Sequence, residues 1–190
     1  MGVDVGYHRH YEQPFRVKIW SLPSKREIAT LLSLPGVSPD IPGPAQLHRL
    51  IHDGAATVLV ATADFTLRTE SVQDSGMPSA IVGGLIAPVF LGEKLAEDDP
   101  DCGKFGGANM CQIHAIPVAS DVNTHENDDT VTQVRTRLLH HLLKTRRDLA
   151  IDVIRMVVEP HDTNSLGLLE CAGFRPGNKS DQYVSMIHLG

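Results

Sequence analysis

The feature that most restricts the fold is a long amphipathic helix set between two apolar runs. In residues 128–147 the apolar positions Val131, Val134, Leu138 and Leu142 recur at helical spacing, and Leu139 and Leu143 widen the stripe. Asp128 and Asp129 suit the positive end of the helix dipole; Lys144, Arg146 and Arg147 suit the negative end. The run MCQIHAIPV (110–118) precedes this helix, and a buried strand at 153–158 follows it. Two strands joined by such a helix are expected to be parallel neighbours with a right-handed crossover. Pro117 cannot donate to a ladder, so the first strand must change or bulge there.

The other elements follow from shorter signals. Residues 15–22 alternate Phe15, Val17, Ile19 with Arg16, Lys18, which reads as a half-buried strand. Ser24 caps a short helix reaching about Leu34, with Glu27 at the capping-box position, and Pro35 and Gly36 stop it. Residues 44–53 form a second helix, with Pro44 in its first turn and Gly54 just past its end. TVLVATA (57–63) and SAIVGGLIAPVFL (79–91) are strands, and Gly83–Gly84 predicts a bulge or a close backbone approach in the second. Asp162 or Thr163 caps a last helix that Gly173 ends, and a final strand covers 182–189. A run of strands followed by alternating strands and helices implies a mixed sheet.

Composition excludes several function classes. The chain has 190 residues, 42% hydrophobic and 21% charged, as expected of one globular domain. Residues 1–12 read as a flexible tail, and the alternating His8 and His10 as residues of that tail or of a strand. The formal net charge is -6, which argues against nucleic acid as a partner. The cluster Lys144, Arg146, Arg147 reads as a solvated helix end. Cys102, Cys111 and Cys171 form neither a disulfide framework nor a zinc spacing. No secretory leader and no membrane-spanning run is visible, so a cytoplasmic monomer or homodimer is expected.

The C-terminal half carries a resemblance. Ser165, Leu169, Glu170, Gly173 and Phe174 in DTNSLGLLECAGF fit the pattern N-x-x-S-x-x-x-L-E-x-x-G-F, with Asp162 where the Asn would stand and Asn164 displaced from it. With the element order, this resembles the GNAT acetyltransferase superfamily. The resemblance implies an α/β fold: a mixed central sheet with splayed parallel strands in the middle and helices on both faces. It implies acetyl-CoA as co-substrate, entering the wedge between strands 111–118 and 153–159. Backbone groups near Ile116 and Val118 would hold the pantetheine and polarise the thioester. The N-terminus of the long helix would receive the pyrophosphate.

Two positions depart from the family pattern. The usual loop R/Q-x-x-G-x-G/A has no counterpart: Gln133, Val134, Arg135, Thr136 and Arg137 occupy its place without glycine. Asp121, Glu126, Asp128 and Asp129 would repel a diphosphate at close range, whereas Arg135 and Arg137 would attract it. Leu169 stands where many members place a Tyr that protonates the leaving thiolate.

The candidate catalytic residues are His114, Glu159 and His161. His114 lies inside the first wedge strand, either as a general base or as a hydrogen-bonded core histidine. Glu159 and His161 follow the second, as base and positioning group or as parts of a capped turn. His140 and His141 point about 100° apart on a helix and do not share a metal. Cys111 reads as a buried structural thiol or a nucleophile. The reading that follows is an N-acyltransferase acting on a primary amine of a small molecule. The alternatives are a protein of this fold with other biosynthetic chemistry in the wedge, and a ligand-binding domain.

Overall fold

The computed structural model describes residues 17–63, 80–92, 99, 101, 103–119 and 128–190. The N-terminal tail with His8 and His10, Cys102, and the carboxylates Asp121 and Glu126 lie outside them. Among the described residues, seven strands form one sheet in the order β1-β2-β3-β4-β5-β7-β6. They are β1 (Val17–Trp20), β2 (Ala56–Ala63), β3 (Ala80–Leu91), β4 (Asn109–Ile113), β5 (Val153–Val158), β6 (Arg175–Lys179) and β7 (Val184–Leu189). The helices are α1 (Lys25–Leu32), α2 (Pro44–His52), α3 (Asp128–Thr145) and α4 (Thr163–Cys171).

Local chemistry sets the helix ends. At α1 the capping box is complete: Ser24 Oγ accepts from the Glu27 amide at 3.3 Å, and Glu27 Oε2 accepts from the Ser24 amide at 2.7 Å. Asp162 caps α4 by accepting from the Ser165 amide at 3.0 Å. Gly173 follows α4 at φ +90°, a left-handed conformation that costs glycine no Cβ clash.

Strand alternation divides the core into two layers. Val58, Val60 and Ile86 face α1 and α2, packing on Ile28, Leu31 and Leu47. Leu59, Ala61, Leu85 and Ala87 face the other way, onto Val134, Leu138, Leu139 and Leu142 of α3. Cys111, Ile113, Ile154, Val158 and Met186 continue this second layer, and Leu169 of α4 joins it. Helices therefore cover both faces, as the family resemblance implies.

β3 and β4 are antiparallel, and β4 and β5 are the parallel pair that the crossover helix predicts. Parallel pairing runs from Met110↔Val153 to Ile113↔Met156 and ends there. The chain after Ile113 stays with β3. The amides of His114 and Ala115 both reach the Ile86 carbonyl, at 2.9 and 3.4 Å, and the Ile86 amide returns a bond to Ala115 at 3.0 Å. Two residues opposing one is a β-bulge. Its signature is also in the core. Ile113 packs in the α3 layer, but Ala115 packs in the α1–α2 layer. In an uninterrupted strand these two would share a face. The sequence places the irregularity at Pro117; the structure places the bulge at His114–Ala115. Pro117 still accepts from the Gly84 amide at 3.0 Å and withholds only its own donor. The strand expected over 110–118 is accordingly β4 plus bridges at Ala115 and Val118.

Gly83 and Gly84 fulfil both halves of their expectation. The register slips opposite them, between Ala61 and Thr62. A Cβ at Gly84 would stand 2.4 Å from Leu31 Cδ1 and 2.6 Å from the Leu59 carbonyl oxygen. One at Gly83 would stand 2.8 Å from the Pro117 oxygen and 3.1 Å from Val134 Cγ1. The missing side chains let α1, α3 and the chain beyond β4 close on β3.

A buried ion network holds the β3–β4 connection to the sheet. Arg155 of β5 is 1% exposed and lies 2.7 Å from Asp99 Oδ2 and 3.0 Å from Asp101 Oδ2. Ser185 Oγ of β7 donates to Asp101 Oδ2 at 2.5 Å and accepts from Arg155 Nε at 3.2 Å. Lys104 Nζ stands 3.6 Å from Asp101 Oδ1.

Two glycine substitutions test the packing, both read by denaturant unfolding. Gly84→Ala is expected to lower stability by about 1–3 kcal/mol, since the Leu59 carbonyl cannot move aside without breaking the ladder. Gly167→Ala, in α4 with open space around its Cβ position, is expected to raise stability by about 0.5–1 kcal/mol.

Candidate functional site

The parting of β4 from β5 leaves an open seam. Along 114–119, the groups facing β3 are bonded: the His114 and Ala115 amides, the Ala115 and Pro117 carbonyls, and the Ala119 amide. The amides and carbonyls of Ile116 and Val118 alternate to the other side, toward the missing β5 neighbour. They have no hydrogen-bond partner among the described residues. On the far bank, Val157 and Val158 pair only with β7.

A cleft of about 250 Å³ occupies this seam. One wall is the bulged chain, His114 to Pro117. Met156 supplies the floor from β5, Leu168 and Leu169 the far wall from α4, and Pro35 and Gly36 the lip from the α1–α2 turn. Among the described residues, three ionisable side chains line it: His114, Arg135 and Asp162.

Each is held by a local device. The bulge turns His114 out of the core, and it is exposed at the cleft rather than buried as a core histidine. Loss of water on the cleft side still lowers its pKa from the usual 6.5. The ring is therefore neutral at neutral pH. Arg135 sits in the third turn of α3, and its Nε is buried without a hydrogen-bond partner among the described residues. Asp162 is ionised: the Ser165 hydrogen bonds lower its pKa against the effect of burial, and the Arg135 charge adds to the lowering.

The other sequence candidates fall elsewhere. Glu159 and His161 are exposed on the turn between β5 and α4, where their carbonyls accept from the Asp162 and Thr163 amides; neither lines the cleft. Asn164 is exposed in the first turn of α4, outside the cleft lining. Val134 is fully buried under Gly83. Gln133 and Arg137 are exposed and Thr136 Oγ1 donates to the Thr132 carbonyl at 2.7 Å. The backbone amides of residues 133–137 lie inside the helix, beyond the first turn where amides are free. Of this group only Arg135 reaches the cleft, and it does so with its side chain. Cys111 is a buried thiol with its pKa pushed up to about 12, so it is not a nucleophile. No group of three metal-ligating side chains occurs among the described residues. No helix of the described residues is long and apolar enough to cross a membrane.

Asp162 is the lining residue that sequence reading used only as a helix cap; its place in the motif usually filled by Asn was the available signal. Met156, Pro35 and Gly36 carried none, because only the strand parting brings them together.

The geometry predicts the titration of His114. As pH falls below about 6.5 the unfolded chain takes up this proton before the folded chain does, so the group makes the fold less stable over that range. An NMR titration is expected to give His114 a midpoint below 6.5; a midpoint above it would mean that Asp162 or another anion dominates the ring.

No protein-family model matches the sequence, and no curated protein matches it. Solved structures do match in shape. NAA60 of Arabidopsis thaliana, in complex with a bisubstrate analogue, superposes with a TM-score of 0.58 at 10% identity, over 92% of this chain and 98% of that one. The PaiA N-acetyltransferase of Thermoplasma acidophilum, in complex with coenzyme A, gives 0.57 at 12% identity, over 92% and 99%. A chain of the NatC complex bound to Gag peptide and CoA gives 0.56 at 12% identity, over 91% and 98%. Sequence order, splayed parallel strands and these superpositions agree: the chain has the GNAT N-acetyltransferase fold.

Proposed function

We propose that this chain is a single-domain, acetyl-CoA-dependent N-acyltransferase whose acceptor is a primary amine of a small molecule. The observation that carries the reading is the seam, with backbone donors Ile116 and Val118 on one bank and a neutral imidazole beside them.

The residues fit acetyl-CoA as a substrate in a specific way. The Ile116 and Val118 amides offer fixed donors for the pantetheine and the thioester oxygen. The unpartnered Arg135 Nε offers a charged donor where a glycine loop would offer backbone amides. Asp162 opposes an anion in the same cleft, which confines phosphate recognition to the Arg135 side.

His114 accepts a proton from the substrate ammonium, and its lowered pKa keeps it ready to do so at neutral pH. The freed amine attacks the thioester carbon; the N–C bond forms as the C–S bond breaks, and the nitrogen loses its second proton to water. Leu169 holds the place of the family's acidic Tyr, so the departing thiolate takes its proton from water. Glu159 and His161 are assigned no chemical step. The small cleft volume and the Pro35–Gly36 lip favour a small acceptor over a long chain.

Calorimetry with acetyl-CoA tests the first part: binding is expected, and its absence from folded protein would leave the cleft to other chemistry or to ligand binding alone. Arg135→Ala is expected to weaken that binding by about 1–3 kcal/mol, and Arg137→Ala by much less. His114→Gln is expected to slow acetylation of a small-amine panel by roughly 10²–10⁴-fold while leaving acetyl-CoA affinity unchanged. Acetylation of peptide N-termini in preference to every small amine would reject the acceptor class.

A further inference from the structure

The C-terminal half of α2 carries two histidines that meet. His48 and His52 stand four residues apart, so one lies above the other on the same flank of the helix. Their ring centroids are 4.6 Å apart and the ring planes meet at 61°. The core-facing stripe of α2 is a different one: Leu47 is buried, and Leu50 and Ile51 pack beside it. His48 is half-buried at the edge of that stripe, and His52 is exposed. Neither ring has a hydrogen-bond partner among the described residues.

The charges nearby are few. Lys25, the first residue of α1, is close enough for its ammonium to act on His48. Asp53 follows His52, and its Oδ2 lies 3.6 Å from Arg49 Nε, so that carboxylate already has a cation beside it. Loss of water around the ring, then His52 and Lys25, lower the pKa of His48 from its usual 6.5. The ring is neutral at neutral pH, and a neutral imidazole keeps one nitrogen lone pair free.

Two such nitrogens on one helix flank can hold one ion. Zinc–imidazole bonds are about 2.0–2.1 Å long, so two nitrogens on a tetrahedral ion stand roughly 3.3 Å apart. Rings with centroids 4.6 Å apart reach that separation by turning about χ2, with no change in the helix. The donor set is also selective. Two imidazoles suit zinc, nickel or copper; magnesium and calcium require oxygen. No third protein ligand joins the pair among the described residues.

We propose that His48 and His52 bind a divalent transition cation of the zinc, nickel or copper type, as a two-imidazole chelate on the surface of α2. Water completes the coordination. The ion links residues one helical turn apart and so clamps the end of α2. The site is separate from the acyl-transfer cleft: Lys25 opens α1 and the Pro35–Gly36 lip follows its end, a helix length of about 12 Å away.

The test is titration of the whole chain with Zn²⁺ at neutral pH, followed by NMR of the histidine ring protons, with Mg²⁺ as the hard-cation control. The first saturable shifts are expected on the His48 and His52 rings, with none from Mg²⁺. His48→Gln and His52→Gln are each expected to weaken that binding roughly tenfold or more, because one ligand no longer presents the ion to the other at high effective concentration. His52→Gln removes an exposed side chain, so its melting temperature without metal is expected to match that of the parent chain. The decisive variant combines His52→Gln with Asp53→His. It keeps the number of histidines but turns the second ring about 100° round the helix, and it is expected to bind no better than His52→Gln. First shifts on other histidines of the chain, undiminished binding in His52→Gln, parental affinity in the combined variant, equal shifts with Mg²⁺, or no saturable shift at millimolar Zn²⁺ would each overturn the proposal.

Discussion

Much of this architecture depends on one carbonyl, Ile86, that accepts from two successive amides. Because His114 and Ala115 share it, the chain gains one residue against β3 and reverses which face each later side chain occupies. The same extra residue ends the parallel ladder with β5 at Ile113↔Met156. A cleft between two adjacent strands is otherwise forbidden, since a buried seam of unpaired backbone is costly. Here it is tolerable because only one bank departs, and each bank keeps an outer partner: β3 on one side and β7 on the other. Gly83 and Gly84 are the complement of this arrangement. A side chain at Gly83 would strike the Pro117 carbonyl, and so would push the bulged bank back toward β5.

Below the seam the parallel pairing has to stay closed, and a different interaction secures it. Arg155 stands in the middle of β5, level with Gln112 of β4, and is almost completely buried. It is held by two carboxylates from the β3–β4 connection and by the Ser185 hydroxyl of β7. Such a network adds little net stability over a well-packed apolar side chain. What it does is directional: it fixes the connection that leads into β4 against the strand that β4 must pair with. Removal of one partner leaves the others as buried uncompensated charge, so the connection has one acceptable position.

Elements whose signals are local were legible in the sequence. Ser24 and Glu27 specify α1 through bonds three residues apart, and the leucine stripe specifies α3 and hence the parallel crossover. β6 was not legible, because Pro176 and Gly177 are residues that a strand interior disfavours. An edge strand tolerates both, with Gly177 making room for Ile187 and the sheet ending before Pro176 must donate to a further neighbour. The bulge was misplaced by three residues for a similar reason. Proline announces a lost donor, but what sets the bulge is the pairing of His114 and Ala115 with a carbonyl almost thirty residues earlier in the chain (Ile86), which no local pattern encodes. The site candidates divide along the same line. His114 sits on the strand that parts and lines the cleft; Glu159 and His161, chosen by proximity along the chain, are not among its lining residues.

The charges in the cleft follow from how α3 and α4 begin. A helix start that faces an anion normally offers bare amides, and α4 instead closes its own with Asp162, leaving a carboxylate at the cleft. On α3, residues 133–137 are far enough into the helix that their amides are committed to it. Neither of these helix segments therefore offers a bare amide to the cleft; among the described residues, Arg135 is the cationic side chain that lines it. Its Nε is buried beside an ionised Asp162 that lacks a direct contact with it, so attraction is present but no bond consumes the donor. A buried guanidinium N–H without an acceptor is unfavourable in the empty cleft. On the proposed reading, a phosphate oxygen at that point would remove the penalty, with the Arg135 charge in place of glycine.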